Sequence, residues 1–109
     1  MPEPTLAAVF GANASQTATD LIIKKADLPG LTPSSSNTAE SLFVGVALKA
    51  QEGLTDVSRE TNIDQSVAVT NAFSPTITTR NDAIYIRNTI SVEVDKLLPG
   101  ANVIDPDDY

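Results

Sequence analysis

Hydrophobic and polar residues alternate most regularly between residues 84 and 95. Branched apolar residues occupy nearly every second position there, and Tyr85, Arg87, Ser91, Glu93 and Asp95 fall between them. A period of two is that of a half-buried strand. A helical spacing also exists from Ala83 to Leu97, but branched side chains lose rotamer freedom in a helix. We therefore predict that one face carries Ile84, Ile86, Ile90, Val92 and Val94 in strand conformation.

Shorter strands are predicted just ahead of this segment. Residues 65–70 alternate cleanly, and residues 76–79 form a second short strand after the Ser74-Pro75 break. Arg80-Asn81-Asp82 supplies turn residues between that strand and the long alternating segment. The second half of the chain thus predicts antiparallel strands.

The first half gives weaker signals. The apolar run 5–10 ends at Gly11 and is interpreted as an arm or edge strand, and residues 19–28 are predicted as a strand. Pro29-Gly30 opens a polar stretch to residue 37, which predicts a turn and an exposed loop.

Residues 38–52 fit two patterns. Apolar residues recur at helical spacing, while Leu42, Val44, Val46 and Leu48 alternate as in a strand. Asn37 with Glu40 as a capping pair, and Gly53 beyond the end, favour a helix. Gly45 and the branched residues favour a strand, so both interpretations stay open.

These elements predict a mainly β fold, an antiparallel sheet or sandwich, with an α+β variant if one helix forms near 38–52. A chain of 109 residues has room for one core, so we expect a single domain over 1–109. The proline-punctuated residues 1–5 form an N-terminal arm, and the acidic residues 99–109 form a C-terminal tail that begins at Pro99-Gly100.

The residue inventory argues against catalysis. The chain has no His and no Cys, which removes the usual general base, thiolate chemistry and the commonest metal ligands. Ser and Lys show no S-x-x-K spacing, the glycines form no phosphate-binding cluster, and the carboxylates of 105–108 lack a calcium-loop pattern. We predict no enzyme, and no catalytic, cofactor-binding or metal site.

The charge of the chain limits the kinds of partner that it is expected to bind. The net charge is −7, and the seven cations are scattered apart from the pair Lys24-Lys25, so nucleic acid binding is not expected. Arg59 and Arg87 are interpreted as solvated strand residues rather than interface anchors. The start of the chain lacks the basic region of a signal peptide, and no apolar run approaches a membrane span.

A short, Cys-free, β-rich chain with extending termini and many Ser, Thr, Asn and Ala residues resembles bacteriophage virion structural proteins. Within them it resembles decoration, cement or tail components, which implies self-association, packing against other virion proteins, and localisation in the virion after synthesis in the host cytoplasm. Contacts are expected through the termini and strand edges.

Two alternatives stay open. The chain from Gln65 onward is also similar to the end of small RNA-phage coat proteins, which form closed shells. That resemblance implies a last strand through Val67, Val69 and Phe73, a long helix over 80–98, and a basic face that this chain lacks. The other alternative is an acidic binding or inhibitor module, which would need its carboxylates clustered on one face.

Overall fold

The computed structural model describes residues 3–97 and 103–109, and its elements confirm the predicted fold class in the α+β form. The helices are α1 (Leu6–Phe10), α2 (Ala39–Gly53) and α3 (Asp56–Thr61). The strands are β1 (Ser15–Gln16), β2 (Leu21–Ile22), β3 (Val67–Asn71), β4 (Thr76–Arg80), β5 (Ala83–Arg87) and β6 (Ile90–Val94). Short 3-10 turns cover Lys25–Asp27 and Pro106–Asp108.

The ambiguous segment 38–52 is a helix. Thr38 caps α2, because its hydroxyl accepts a hydrogen bond from the Ser41 amide at 3.1 Å. The predicted Asn37 cap is wrong by one residue, and the Asn37 side chain instead accepts from the Ser34 amide within the preceding loop. Gly53 is the last residue of the helix rather than the residue beyond it. The Thr38 hydroxyl satisfies a backbone amide at the start of the helix and so stabilises residues 39–53 in helical conformation.

A second capping threonine starts α3, which the sequence pattern did not predict. The Thr55 hydroxyl accepts from the Ser58 amide at 3.1 Å, so the chain turns at Leu54 and resumes as a new helix. The side chain of Gln65 is buried beneath this turn and donates to the carbonyls of Thr55 and Val67, both at 2.9 Å. This amide therefore joins the start of α3 to the start of β3.

The second half of the chain folds as one long two-stranded ribbon with an irregular joint. Strand β3 pairs antiparallel with β6, and β4 pairs antiparallel with β5. Between the two ladders, residues 72–75 lie opposite residues 88–89, and the Ala72 amide donates to the Thr89 carbonyl at 3.0 Å. The predicted strands at 65–70 and 76–79 are confirmed, whereas the strand predicted through 84–94 is interrupted at 88–89.

The predicted turn at 80–82 is confirmed and closes the β4–β5 hairpin. Asn81 and Asp82 have φ angles of 47° and 63°. Two successive residues in the left-handed region give the type I′ turn, whose twist matches that of the flanking strands. Asn and Asp tolerate this conformation better than branched residues do, so the local sequence fixes the end of the ribbon.

Two predictions for the first half are wrong. The run 5–10 is not an arm or edge strand, because Leu6–Phe10 is a helix capped by the Thr5 hydroxyl. The segment 19–28 is strand only at Leu21–Ile22, and the Asp27 side chain then accepts hydrogen bonds from Asn13 at 2.9 and 3.2 Å. Helix α1 packs on α2, and Leu28, which follows the turn after β2, packs against Gly45 of α2.

That packing depends on two glycines of α2. A Cβ at Gly45 would lie 3.2 Å from the Leu28 side chain, and one at Gly53 would overlap the backbone carbonyl of Ala8. The buried apolar residues among those described are Leu28, Ala68 and Val69. The core is therefore a thin layer between α1, α2, α3 and β3.

Part of the terminal predictions lies outside the described residues, namely residues 1–2 of the arm and the break at Pro99-Gly100. In the described part of the tail, Asp105 caps the last 3-10 turn by accepting from the Asp107 amide at 3.0 Å. Asp108 accepts from Lys96 at 3.1 Å, which attaches this end of the tail to the chain just after β6.

Gly53→Ala is expected to lower the free energy of unfolding by about 1–3 kcal/mol, because the added methyl group meets a backbone carbonyl that cannot rotate away. Urea denaturation followed by circular dichroism measures this. Ser41→Ala, at an exposed position of the same helix, is the matched control and should change stability by less than about 0.5 kcal/mol. Equal stability of the two variants would contradict the proposed close approach of α1 to α2.

Candidate functional site

The chain exposes far more surface than a compact protein of its mass. Its accessible area is 8180 Å², whereas a folded monomer of 11.5 kDa exposes about 5,800 Å². The radius of gyration is 16.2 Å, against about 13 Å for a compact domain of this length. The chain thus exposes about 2,400 Å² more accessible surface than a compact domain of its mass. Whether this surface is apolar or polar decides what it can bind.

The β4–β5 hairpin supplies the first apolar part of that surface. Directly opposed residues share a face in an antiparallel ladder, so the pairs Ile77–Ile86 and Thr79–Ile84 lie on one side. Ile77, Ile84 and Ile86 are 68%, 77% and 67% exposed. We name Ile77, Thr79, Ile84 and Ile86 the hairpin face. No helix of the described residues covers it, because the hairpin projects beyond the joint of the ribbon.

The opposite side of the hairpin is polar and cationic. It carries Thr76, Thr78, Tyr85, Arg80 and Arg87, and the guanidinium of Arg80 lies 5.2 Å from the centre of the Tyr85 ring. Neither arginine has a carboxylate within salt-bridge distance in the described part of the chain. With Asp82 as its one acid, the hairpin carries a charge of +1 on a chain of −7.

Helix α2 supplies the second apolar part. Phe43, Val44 and Leu48 are 73%, 52% and 36% exposed. Ala47 lies between them on the helix surface, and Glu40 lies one turn before Phe43 and Val44 on the same side. We name Phe43, Val44, Ala47 and Leu48 the α2 face. With Glu40, Glu52 and Lys49, helix α2 carries a charge of −1.

Strand β6 leaves a free backbone edge. The Val69 amide donates to the Leu54 carbonyl at 2.8 Å and so points away from β6, which makes Val69 and Val92 a non-hydrogen-bonded pair. The amide and carbonyl of Val92 consequently face outward, where no strand among residues 3–97 and 103–109 pairs with them. An open edge of this kind can accept another strand.

Several charged side chains near α3 and the end of β6 pair with one another. A shallow depression of about 370 Å³ lies between α3 and the end of β6. Arg59 and Lys96 line it: Arg59 contacts Glu93 at 3.0 Å and Asp95 at 3.8 Å, and Lys96 donates to Asp108 and to the Val103 carbonyl. The interpretation of Arg59 as a solvated strand residue is wrong, since it lies in α3 and forms ion pairs. Arg87 is an exposed strand residue, as expected.

The described residues contain no group of three or more acidic side chains placed to hold a metal ion. Asp105, Asp107 and Asp108 surround the last 3-10 turn, where Asp105 caps the turn and Asp108 pairs with Lys96. No helix within residues 3–97 and 103–109 is both long and apolar enough to cross a bilayer.

Comparison with known proteins gives no assignment: no family model, no curated protein and no solved structure matches the chain. The surface itself is therefore the main guide to function.

The alternation correctly placed Ile84 with Ile86, and Ile90 with Val92 and Val94, on common sides of two separate strands, but did not show what would cover them. Ile84, Ile86 and Val92 were expected on a half-buried face, and all three are more than 60% exposed. Ile90 and Val94 of the same series are half-buried. The sequence did not predict the exposed α2 face either, because its residues fit a strand pattern as well as a helical one.

Ile86→Thr is expected to change the unfolding free energy of the monomer by less than about 0.5 kcal/mol, because the side chain already faces water. Val69→Ala removes buried methyl groups from the core and should cost about 2 kcal/mol. Chemical denaturation of both variants, at a protein concentration where light scattering shows monomers, compares them. A large loss in Ile86→Thr would mean that the hairpin packs on its own chain.

Proposed function

We propose that this protein is a non-enzymatic structural protein of a bacteriophage virion, which self-associates and packs against other capsid or tail subunits. The observation that carries the proposal is the exposed apolar surface. The chain's total excess of about 2,400 Å² is of the size that a subunit loses to its neighbours in permanent assemblies, and the hairpin face and the α2 face are apolar parts of its surface. Contiguous apolar patches on a soluble chain mark places where another protein binds.

The small core of the isolated chain and its uncovered hairpin support this role. Its core consists of a few small and medium side chains, and a two-stranded hairpin without a third strand or helix is at best marginally stable in water. Covering the hairpin face and the α2 face would add apolar burial that the single chain lacks. A subunit that gains stability from its neighbours is well suited to an assembly.

The assignment to a virion rests on the resemblance in composition to decoration, cement and tail components, and localisation in the virion belongs to the same proposal. One structural feature implied by the similarity to RNA-phage coat proteins is not found. The helix it implied over 80–98 is wrong, because Ala83–Arg87 and Ile90–Val94 are strands. A closed shell remains one of the forms that such a subunit can build.

Electron microscopy of the protein expressed alone tests the proposal directly. We expect rings, tubes, shells or other regular oligomers, and closed shells containing RNA would favour the coat-protein alternative over decoration or tail roles. Dispersed monomers at high concentration, together with failure to join any capsid or tail, would overturn the proposal.

Self-association is expected to strengthen in ammonium sulfate, because sulfate favours apolar burial and screens repulsion between chains of charge −7. Sedimentation velocity across a salt series measures the oligomer fraction. The acidic inhibitor alternative predicts the opposite dependence, since binding of carboxylates to a basic partner weakens as salt rises.

A further inference from the structure

Resting on the proposed self-association, we propose that two copies of this chain pair antiparallel along the strand that runs from β5 into β6, with Ile90 of one copy opposite Ile90 of the second copy. Backbone hydrogen bonds make the contact, and a two-fold axis relates the copies. The pairing joins two two-stranded ribbons into one four-stranded sheet.

The hydrogen-bonding pattern shows which residues of this strand face outward in β6. Val69 and Val92 are a non-hydrogen-bonded pair, so Val92 turns its amide and carbonyl outward, as Ile90 and Val94 do. At the joint Thr89 faces inward, since its carbonyl accepts a hydrogen bond from the opposite strand at 3.0 Å. Outward-facing and inward-facing residues therefore alternate without a break up to the joint.

The same alternation continues in β5. The two-residue turn at 81–82 makes its flanking residues a hydrogen-bonded pair, which turns Ile84 and Ile86 outward. The bend in the joint lies at Phe73 on the opposite strand, whereas residues 88–89 show neither a turn nor a bend. One backbone edge therefore runs through both strands, and no strand in the described part of the chain pairs with it.

Charge favours a second copy as the partner of this edge. Arg87 of β5 has no carboxylate within salt-bridge distance among the described residues, while the Glu93 and Asp95 side chains near the end of β6 are 53% and 66% exposed. Pairing centred on Ile90 places Arg87 of each copy directly opposite Glu93 of the second copy, on one side of the joined sheet. The Glu93 carboxylate pairs with an arginine of its own chain and has acceptor sites for another.

Other registers lack this match. Pairing centred on Val94 opposes Glu93 to Asp95, and like charges directly opposite each other destabilise a sheet. Pairing centred on Val92 leaves Arg87 opposite an apolar residue. A parallel arrangement of the same residues brings the two copies of Arg87 together. Opposite charges that face each other across the contact therefore favour the antiparallel register centred on residue 90.

Disulfide formation tests the register. The chain has no Cys, so Ile90→Cys and Val92→Cys each introduce one thiol. In the proposed register the two Cα atoms of residue 90 lie about 5.5 Å apart, within reach of a disulfide, whereas those of residue 92 lie about 14 Å apart. Mild oxidation should link most of the Ile90→Cys protein into covalent dimers and little of the Val92→Cys control, as measured by non-reducing gel electrophoresis. Circular dichroism of each reduced variant checks that it folds like wild type.

Charge exchange tests the facing residues. Arg87→Glu and Glu93→Arg are each expected to weaken self-association at least about tenfold, because like charges then meet at both contacts. An equimolar mixture of the two variants restores opposite charges at both contacts and should associate within about threefold of wild type. Lys24→Glu makes the same change in charge as Arg87→Glu at an exposed position outside the ribbon, and this control should also stay within about threefold. Sedimentation equilibrium measures all four samples.

The outcomes separate the two proposals. A wild-type protein that stays monomeric overturns the proposed function and this inference with it. If the wild-type protein assembles, the edge pairing alone is overturned when Val92→Cys links as readily as Ile90→Cys. It is also overturned when the mixture of charge variants associates no better than either variant alone, a result that points to a strand of another protein on this edge.

Discussion

The fold depends on how strand β3 is held between the helices and β6. One edge of β3 pairs with β6, and on the other edge the Val69 amide donates to the carbonyl of Leu54, the C-cap residue just after α2. A buried amide needs such a partner, and a carbonyl at a helix end is free to provide one. Gln65 adds side-chain hydrogen bonds to Thr55 and Val67, so the α2–α3 corner and the base of the ribbon are fixed together.

The ribbon consists of two halves that differ in what packs against them. The inner half, β3–β6, lies against α2 and α3 and contributes Ala68 and Val69 to the core. The outer half, β4–β5, lies beyond the mismatched joint at 72–75 and 88–89, where extra residues on one strand disturb the ladder. The outer half keeps its hairpin face exposed, since Ile77, Ile84 and Ile86 are each more than 60% exposed.

The exposed apolar surface and the small core are connected, because apolar side chains that could enlarge the core lie on the surface instead. The buried apolar residues among those described are three, Leu28, Ala68 and Val69. The side chains that would complete a larger core remain outside, on the hairpin and along α2. Of the cations, Arg59, Lys49 and Lys96 pair with carboxylates of their own chain. The exposed apolar surface is the observation on which the proposed role in an assembly rests.

By itself, the sequence determined the strands at 65–70 and 76–79, the turn at Asn81-Asp82, and the absence of His and Cys chemistry, because alternation, turn propensity and residue inventory are local properties. The helices at 38–52 and Leu6–Phe10 begin at local threonine caps, which the sequence pattern did not single out. Tertiary structure decided how these helices pack, since α1 contacts α2 and Ala8 closely approaches Gly53. It also decided which members of one apolar series are covered, since burial depends on what packs against a strand rather than on the strand's own pattern.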